Sequence, residues 1–316
     1  MPRSSTPLPA PSATRCVVGD WGSTRLRLFL IERGEVAARL DGPGTTALTE
    51  PAERVLARML SIWLAGGPLG TITLCGMAGS PAGIAPAPYA PCPADAALWH
   101  RARARRRVIG LEVEVLPGLS WRTADGIPEV MRGEETQVFG ALSRDPALAR
   151  GDHLFALPGT HGKWVRISDG AITGFRTAPT GELYAAITRH TSLPGPAGPD
   201  GEEHALAAFD EGFARGLDRC TEPVSGALFE ARAARMLDGR PRAWSTGFIS
   251  GLLIGAEVAQ FGTGHAGVTV IGDGALTALY LRALNHLGIA AQTVDGEAAA
   301  IAGLLGALAM AQGSTQ

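Results

Sequence analysis

The sequence predicts a mixed α/β fold made of two domains built on the same plan. Two glycine- and threonine-containing turns support this prediction, at residues 19–24 and 158–163. Each turn lies between segments typical of strands and is followed by a second turn, at 33–34 or 169–170, and a third strand. A chain of 316 residues is also long enough to bury two cores.

The remaining elements of the first half follow from periodicity and composition. Apolar residues at helical spacing predict a helix over 53–60. The apolar segment 71–75 predicts a buried strand whose following turn lies at the carboxyl edge of a sheet, where ligand loops gather. The proline- and glycine-rich segment 81–93 predicts a structured loop. A helix over 94–107 and a strand near 113–116 are expected to complete this half.

The second half repeats the order of hairpin and helix. We expect helices over 131–142 and 182–189, followed by a linker at 193–200. The segment 202–259 is expected to be largely helical, with helix ends at Gly216, Gly226, Gly239 and Gly251. Strands are expected at 268–271 and 290–294, and helices at 275–287 and 298–311. The repeat predicts an N-terminal domain over 14–125 and a C-terminal domain over 126–316. The proline- and serine-rich residues 1–13 predict a disordered tail.

Composition excludes several classes of function. A formal net charge of −2 implies no general attraction to nucleic acid or membranes, and the arginines within 101–107 are expected to form a solvated helix face. The four cysteines have no metal-binding spacing, which favours a reduced, cytoplasmic setting. The apolar stretch 298–311 is too short to span a bilayer and predicts a buried helix.

The two turns are suited to holding a polyphosphate between them. Glycine permits close approach of a ligand to the backbone, and the neighbouring N–H and hydroxyl groups are donors for phosphate oxygens. The candidate phosphate-binding residues are Gly22, Ser23, Thr24, Gly159, Thr160, Gly162 and Lys163. A Walker A loop is excluded, because only two residues separate the glycines before Lys163 and a tryptophan follows it. The pattern therefore predicts nucleotide-dependent phosphoryl transfer.

Four motifs resemble 2-dehydro-3-deoxygalactonokinases, a family within the superfamily of acetate and sugar kinases, Hsp70 chaperones and actin. They lie at residues 20–24, 87–93, 132–137 and 157–164, and the matches extend from about Val17 to Gly306. The resemblance implies two ribonuclease H-like (actin-like ATPase) domains flanking a central nucleotide cleft. It implies ATP-dependent phosphorylation of the 6-hydroxyl of 2-dehydro-3-deoxy-D-galactonate in D-galactonate catabolism.

The same resemblance implies a set of substrate-binding residues. They are Arg25, Gly79, Ser80, Tyr89, Arg132 and His161. The chain departs from the family pattern after Ser80, where Pro81-Ala82-Gly83-Ile84 stands in place of Arg-Gln-Gly-Trp. This departure weakens the assignment of one particular sugar acid, and a related acid is an alternative acceptor. The ATP chemistry is unaffected.

Each candidate residue has a functional and a structural interpretation. Asp20 can hold Mg²⁺, directly or through water, or it can be an Asx-turn residue. Glu134 and Glu135 can supply the general base, and similarity to sugar kinases favours Glu134, although acids in a first helical turn also complement the helix dipole. Arg132 can bind a carboxylate through two nitrogens or form a structural salt bridge.

The remaining candidates lie in the second half of the chain. Gly272, Asp273 and Gly274 are expected to border the adenosine, or to form a plain turn. Lys163 can contact phosphate or lie at a solvent-facing strand end, and His161 can touch phosphate or substrate.

Two other functions are compatible with such a scaffold. A phosphatase or polyphosphate hydrolase would use water as the acceptor, and a nucleotide-sensing protein would bind ATP without turnover. The expected partner is a small sugar acid, and a homodimer is left open.

Overall fold

The computed structural model describes residues 15–196 and 202–313, and the predicted tail at 1–13 lies outside them. The described residues divide into two compact units. The first unit groups the described residues of Met1–Ser120, Val130–Ser143 and Ala300–Gln316, and the second groups those of Trp121–Glu129 and Arg144–Ala299. The units therefore interleave along the chain, whereas the sequence-based bounds divide it once, near Asp125.

The predicted mixed α/β composition is confirmed. The strands are β1 (Cys16–Trp21), β2 (Arg25–Glu32), β3 (Glu35–Pro43), β4 (Ile72–Gly76), β5 (Tyr89–Pro91), β6 (Ala104–Val108), β7 (Leu111–Val115), β8 (Gly118–Arg122), β9 (Pro128–Met131), β10 (Asp152–Leu157), β11 (Gly162–Ser168), β12 (Ala171–Ala178), β13 (Val268–Ile271) and β14 (Ala291–Val294). The helices are α1 (Ala52–Leu64), α2 (Ala96–Arg101), α3 (Glu134–Arg144), α4 (Thr180–His190), α5 (Glu202–Asp218), α6 (Val224–Ala227), α7 (Glu230–Asp238), α8 (Arg242–Phe261), α9 (Gly274–His286) and α10 (Gly296–Gly313).

Each unit contains a sheet of the same plan, as the repeat predicted. In the first sheet, with the order β3-β2-β1-β4-β7-β6, β1 pairs antiparallel with β2 and parallel with β4. In the second sheet, with the order β12-β11-β10-β13-β14, β10 pairs antiparallel with β11 and parallel with β13. Both sheets thus have an antiparallel meander followed by parallel strands, which is the ribonuclease H-like arrangement that the resemblance implied.

One predicted helix is partly wrong. Helix α2 ends at Arg101, and the predicted helix over 94–107 continues instead as strand β6 at the edge of the first sheet. The turn between β6 and β7 has left-handed backbone at Ile109 (φ 47°) and Gly110 (φ 83°), as a tight hairpin requires. The exposed arginines 105–107 therefore lie on an edge strand, where charge discourages pairing with another chain.

The structure also contains a small third sheet that the sequence does not predict. Its order is β5-β8-β9, and β5 lies inside the segment expected to be a structured loop. The turn after Ser80 retains the glycine of the family pattern, because a Cβ at Gly83 would lie 2.3 Å from Ala78 O. Ile84 follows and is buried in the core of the first unit.

The first core packs α1 against one face of the first sheet. Leu56 and Leu60 of α1 are fully buried with Trp21 of β1, and Trp21 Nε1 donates a hydrogen bond to Pro43 O at 3.1 Å. In the second unit, Phe213 and Val258 pack in one cluster with strand residues of β10 and β13.

Helices α5 and α8 approach closely through glycines. A Cβ at Gly247 or Gly251 of α8 would lie 2.1 Å from the carbonyl oxygen of Phe209 or Phe213 of α5, respectively. A Cβ at Gly216 of α5 would lie 2.3 Å from Phe248 O. The prediction that Gly216 and Gly251 end helices is therefore wrong, because these glycines lie inside helices and permit backbone contact.

Helix length and composition also bear on membrane insertion. Across 15–196 and 202–313, none of the helices is both long enough and apolar enough to cross a bilayer.

We expect Gly251→Ala to lower the free energy of unfolding by about 3 kcal/mol, because the added methyl group forces α5 and α8 apart. Gly226→Ala is the control, since a Cβ there meets nothing within 4 Å and its stability should change by less than about 1 kcal/mol. Urea denaturation of both variants measures the difference. Equal stability of the two variants would contradict the packing argument.

Candidate active site

The first predicted phosphate turn connects β1 to β2. Gly22 N donates to Arg25 O at 2.8 Å and closes the turn, and Ser23 and Thr24 are exposed at its tip. The backbone N and Oγ1 of Thr46 donate to Ser23 O at 3.0 and 2.7 Å. Thr46 therefore holds the backbone of the turn, while the side chains of Ser23 and Thr24 are exposed to solvent. Arg25 is also exposed.

Asp20 lies in β1 directly opposite Arg27 of β2. Its Oδ2 accepts a hydrogen bond from Arg27 Nη2 at 2.5 Å, and Cys75 Sγ donates to its Oδ1 at 3.7 Å. The Asp20 side chain remains 20% exposed. The carboxylate therefore contacts the neighbouring strands rather than the turn that follows it.

This geometry limits how Asp20 can serve a metal ion. Within the described part of the chain, no group of three or more His, Cys, Asp or Glu side chains could hold a metal. Mg²⁺ retains several waters and takes phosphate oxygens as ligands, so it does not need a protein cage. A single carboxylate already paired with Arg27 fits a contact through a metal-bound water better than a direct bond.

The two adjacent acids at the start of α3 have different surroundings. Glu134 is half-buried, and its Oε2 accepts a hydrogen bond from Arg132 N at 3.0 Å. Glu135 is fully buried, and its two oxygens accept from Gly133 N at 2.9 and 2.8 Å. Burial, followed by the charge of Glu134, raises the pKa of Glu135 to about 8. Glu135 is thus an internal anchor, whereas Glu134 is accessible.

Two glycines bring the start of α3 to the end of β4. Gly133 has a φ of 113°, and a Cβ there would lie 3.3 Å from Gly76 Cα. Gly76 has a φ of 70°, and a Cβ there would lie 2.6 Å from Trp21 O and 3.2 Å from Asp20 Oδ1. The acidic helix start therefore lies at the same sheet edge as Asp20.

Two predicted substrate residues, Gly79 and Tyr89, lie against the guanidinium group of a third, Arg132, and Ser80 follows Gly79 in the chain. Its Nη2 donates to Ala87 O at 2.8 Å, and its Cζ lies 4.2 Å from the centre of the Tyr89 ring. A Cβ at Gly79 would lie 2.5 Å from Arg132 Nη1. Arg132 Nη1 and Ser80 Oγ are both buried without a hydrogen-bond partner among the described residues. The site thus has two unused donors, although Nη2 is occupied and leaves no free pair of terminal nitrogens.

The second predicted phosphate turn is supported by the start of α4. A Cβ at Gly181 would lie 2.5 Å from Gly159 O, and Glu182 N donates to Thr160 O at 3.1 Å. His161 is exposed, and its Nε2 lies 2.8 Å from Glu182 Oε2. The helix start therefore lies directly against the turn.

Lys163 is buried and only 4% exposed, which differs from the solvent-facing strand end considered as an alternative. Its Nζ donates to His161 O at 2.9 Å. The ammonium group therefore braces the backbone of the second turn from inside.

The turn predicted to border adenosine lies close to the second phosphate turn. A Cβ at Gly272 would lie 3.8 Å from Pro158 Cδ, and Asp273 Oδ1 accepts from Gly296 N at 3.0 Å. Asp273 therefore ties its turn to the start of α10. Gly274 has a φ of 64° and begins α9.

A largely apolar cavity of about 140 Å³ opens beside these turns. Its walls are Gly159, Thr180, Gly181, Tyr184, Phe209, Ser250, Leu253, Ile254, Leu276, Leu279 and Tyr280. A larger groove of about 770 Å³ lies at the amino ends of β10, β13 and β14. Ligands of α/β sheets bind at the carboxyl ends of strands, so the smaller cavity is the candidate site.

The sequence reasoning missed one buried carboxylate, Glu257. It lies in α8, is 4% exposed, and accepts hydrogen bonds from Trp164 Nε1 and Tyr280 Oη, both at 2.7 Å. Burial raises the pKa of Glu257, and hydrogen bonds from Thr180, Trp164 and Tyr280 offset part of this rise. The available signal was a single carboxylate inside an otherwise apolar helix, because such a group needs partners.

Comparison with known proteins gives consistent results. A family model described as 2-keto-3-deoxy-galactonokinase matches residues 20–307. A probable 2-dehydro-3-deoxygalactonokinase from Rhizobium meliloti is 39% identical over 302 residues, covering 90% of this chain and 94% of the relative. The 2-dehydro-3-deoxygalactonokinase of Escherichia coli is 36% identical over 297 residues, covering 92% and 96%. A crystal structure of a candidate 2-dehydro-3-deoxygalactonokinase from Sinorhizobium meliloti has a TM-score of 0.78 at 35% identity, covering 92% of this chain and 95% of that one.

The raised pKa of Glu135 predicts a pH-dependent stability. Between its usual pKa of 4.5 and about 8, the folded state binds a proton that the unfolded state has released. The free energy of unfolding should therefore fall as the pH rises through this range, by on the order of 4 kcal/mol from this group. In Glu135→Gln this decline should be lost, whereas Glu112→Gln on the surface should retain it. Urea denaturation from pH 5 to pH 8 measures both, and parallel curves for wild type and Glu135→Gln would refute the assignment.

Proposed function

Because the chain belongs to the 2-keto-3-deoxy-galactonokinase family, we propose that it transfers the terminal phosphoryl group of ATP to the 6-hydroxyl of 2-dehydro-3-deoxy-D-galactonate. In this reaction the hydroxyl oxygen bonds to the γ-phosphorus, and the bond from that phosphorus to the β,γ-bridging oxygen breaks. The products are ADP and the 6-phosphorylated acid. The hydroxyl proton passes to a carboxylate of the protein.

The observation that carries the sugar-acid assignment is the unused Nη1 of Arg132. A buried guanidinium nitrogen without a partner costs free energy, and a carboxylate is its preferred acceptor. Ser80 Oγ, equally unpartnered, is available to the 2-keto oxygen or to the same carboxylate. Tyr89 covers one face of the guanidinium and fixes its plane. These residues suit an acceptor that carries a carboxylate next to a carbonyl group.

Glu134 is the proposed general base. It is two residues from Arg132 and accepts the Arg132 N–H, so the base and the carboxylate-binding group belong to one short segment. Its partial exposure permits contact with a substrate hydroxyl, whereas the fully buried Glu135 has both oxygens directed at Gly133 N.

In the first unit we assign phosphate contacts to the turn at residues 22–24, and in the second unit we assign nucleotide contacts to the turn at residues 159–163 and to the apolar cavity. Ser23 and Thr24 offer exposed donors for phosphate oxygens, and Gly22 closes their turn through its hydrogen bond to Arg25 O. Gly159, Thr160 and Gly162 belong to the second turn. The adjoining cavity suits a purine ring, because its lining is largely apolar and includes Gly159 of the second turn. Gly272, Asp273 and Gly274 are assigned to the ribose side. Arg25 and His161, both exposed, remain proposed contacts to substrate.

Mg²⁺, when bound with ATP, would neutralise developing charge on the phosphates. Asp20 would hold it through water, as the pairing of this carboxylate with Arg27 allows. Lys163, braced against His161 O, would support the turn and add positive charge beneath it.

An acceptor comparison tests the function. Wild type should release ADP from MgATP with 2-dehydro-3-deoxy-D-galactonate and should turn over its carboxamide analogue poorly, because the amide cannot form the charged contact. Arg132→Gln should raise the KM for the acid by about 30-fold, consistent with a charged hydrogen bond of about 2 kcal/mol. A coupled assay of ADP release measures both effects.

Arg39→Gln is the matched control, because Arg39 is exposed on β3, where it pairs with Asp41, and is not a proposed site residue. ADP release at the same rate without any acid would indicate a hydrolase. Tight ATP binding without turnover across a panel of 2-keto-3-deoxy acids would indicate a nucleotide sensor. Equal KM values in Arg132→Gln and wild type would exclude Arg132 from acid recognition.

Glu134→Gln should reduce kcat by about 10²- to 10⁴-fold while leaving ATP affinity unchanged, because the amide cannot accept the hydroxyl proton. Glu135→Gln is the matched comparison and should retain most turnover, since Glu135 is neutral near pH 7 with a pKa of about 8. Steady-state kinetics and calorimetric titration with a non-hydrolysable ATP analogue measure the two quantities. The reverse order of effects would transfer the role of base to Glu135.

A further inference from the structure

Glu257 is the centre of a buried hydrogen-bond network in the second unit. Trp164 Nε1 donates to one of its oxygens and Tyr280 Oη to the other, both at 2.7 Å. The hydroxyl group of Thr180 is also close enough to stabilise the carboxylate and lower its pKa. All four side chains are less than 9% exposed. Because these three partners direct hydrogens at the carboxyl group, the network is satisfied best when Glu257 is ionised.

The backbone next to Glu257 is shaped to accept this carboxylate. A Cβ at Gly162 would lie 2.9 Å from Glu257 Oε1 and 3.5 Å from Tyr280 Oη. Gly162 is the first residue of β11 and the last glycine of the second phosphate turn. The carboxylate therefore packs directly behind the backbone of that turn.

The partners of Glu257 also form part of the cavity beside the turn. Thr180 and Tyr280 both line it, together with Gly159. Thr180 is the first residue of α4, and the second, Gly181, packs against the backbone of Gly159 and Thr160. Tyr280 belongs to α9, which starts at the Gly272–Gly274 turn. One carboxylate thus joins β11, α4 and α9, the three elements that carry the phosphate turn, its supporting helix and the ribose-side turn.

We propose that Glu257 is a positioning residue for the nucleotide: it holds the phosphate turn and two walls of the cavity in their binding arrangement without touching ATP. This inference rests on the proposed function, since it takes the cavity to be the purine site. A hydrogen-bonded carboxylate suits the role because three donors from three elements must meet at one point. A glutamine has the same shape but turns an N–H₂ group toward at least one of the donors.

The test compares Glu257→Gln with Glu211→Gln, a substitution in the same unit that removes only an exposed pair with Arg240. Calorimetric titration with a non-hydrolysable ATP analogue and Mg²⁺ should show about tenfold weaker binding for Glu257→Gln, and the wild-type value for Glu211→Gln. The KM for ATP should rise by a similar factor, while the KM for the sugar acid should stay within about twofold. A residue needed only for folding would lower Tm without separating the two KM values.

Tyr280→Phe and Trp164→Phe extend the test if Glu257→Gln does not fold. Each removes one donor, retains an aromatic ring, and should weaken binding of the analogue by about threefold or more. Wild-type affinity in the folded variants would overturn the positioning role while leaving the proposed function intact. Failure of wild type itself to bind the analogue would overturn the proposed function, and the positioning role with it.

Discussion

Close backbone contact between a helix start and a segment at the carboxyl end of a strand is the constraint on which the candidate site residues of each unit depend. In the first unit Gly133 meets Gly76, and in the second unit Gly181 meets Gly159 O. Side chains at these positions would displace the helix, so the contact exists only because each carries a hydrogen. A helix start carries partial positive charge and free N–H groups. The same contact that packs each unit therefore also places the positive end of a helix beside the proposed site residues.

The buried carboxyl groups of Glu135 in the first unit and Glu257 in the second unit are stabilised in different ways. Glu135 is fully buried and lies beside the charge of Glu134, so its pKa rises to about 8 despite the hydrogen bonds that it accepts from Gly133 N. Glu257 receives three side-chain hydrogen bonds, which oppose the effect of burial. A neutral acid suffices to orient a helix start, whereas an ionised one can attract donors from several elements. The donors to Glu135 belong to the start of its own helix, whereas the groups around Glu257 belong to β11, α4 and α9, and this distinguishes a local anchor from a group that joins several elements.

Local features could be predicted from the sequence, and features that depend on distant contacts could not. Both hairpins follow from alternating segments flanking glycine turns, and these were correct. The sequence does not predict strand β6, because the hairpin turn that follows it places Ile109 at positive φ. A β-branched residue rarely adopts this conformation, so the turn has no signal in the sequence. The partnership of Glu257 with Trp164 spans 93 residues, and no periodicity reports it. The glycines of α5 and α8 resemble helix ends until the neighbouring helix is known.

The spacing of the apolar residues in α3 indicates which of the two adjacent acids is buried. Residues Glu135, Val138, Phe139 and Leu142 follow the i, i+3, i+4, i+7 spacing of a buried helix face, and all four are buried. A helix turns by about 100° per residue, so Glu134 lies at the edge of that face and not at its centre. One acid is therefore directed into the core, where it needs the Gly133 N–H, and this fixes the direction of the other. The geometry that buries Glu135 is what holds Glu134 at the accessible edge of the helix start.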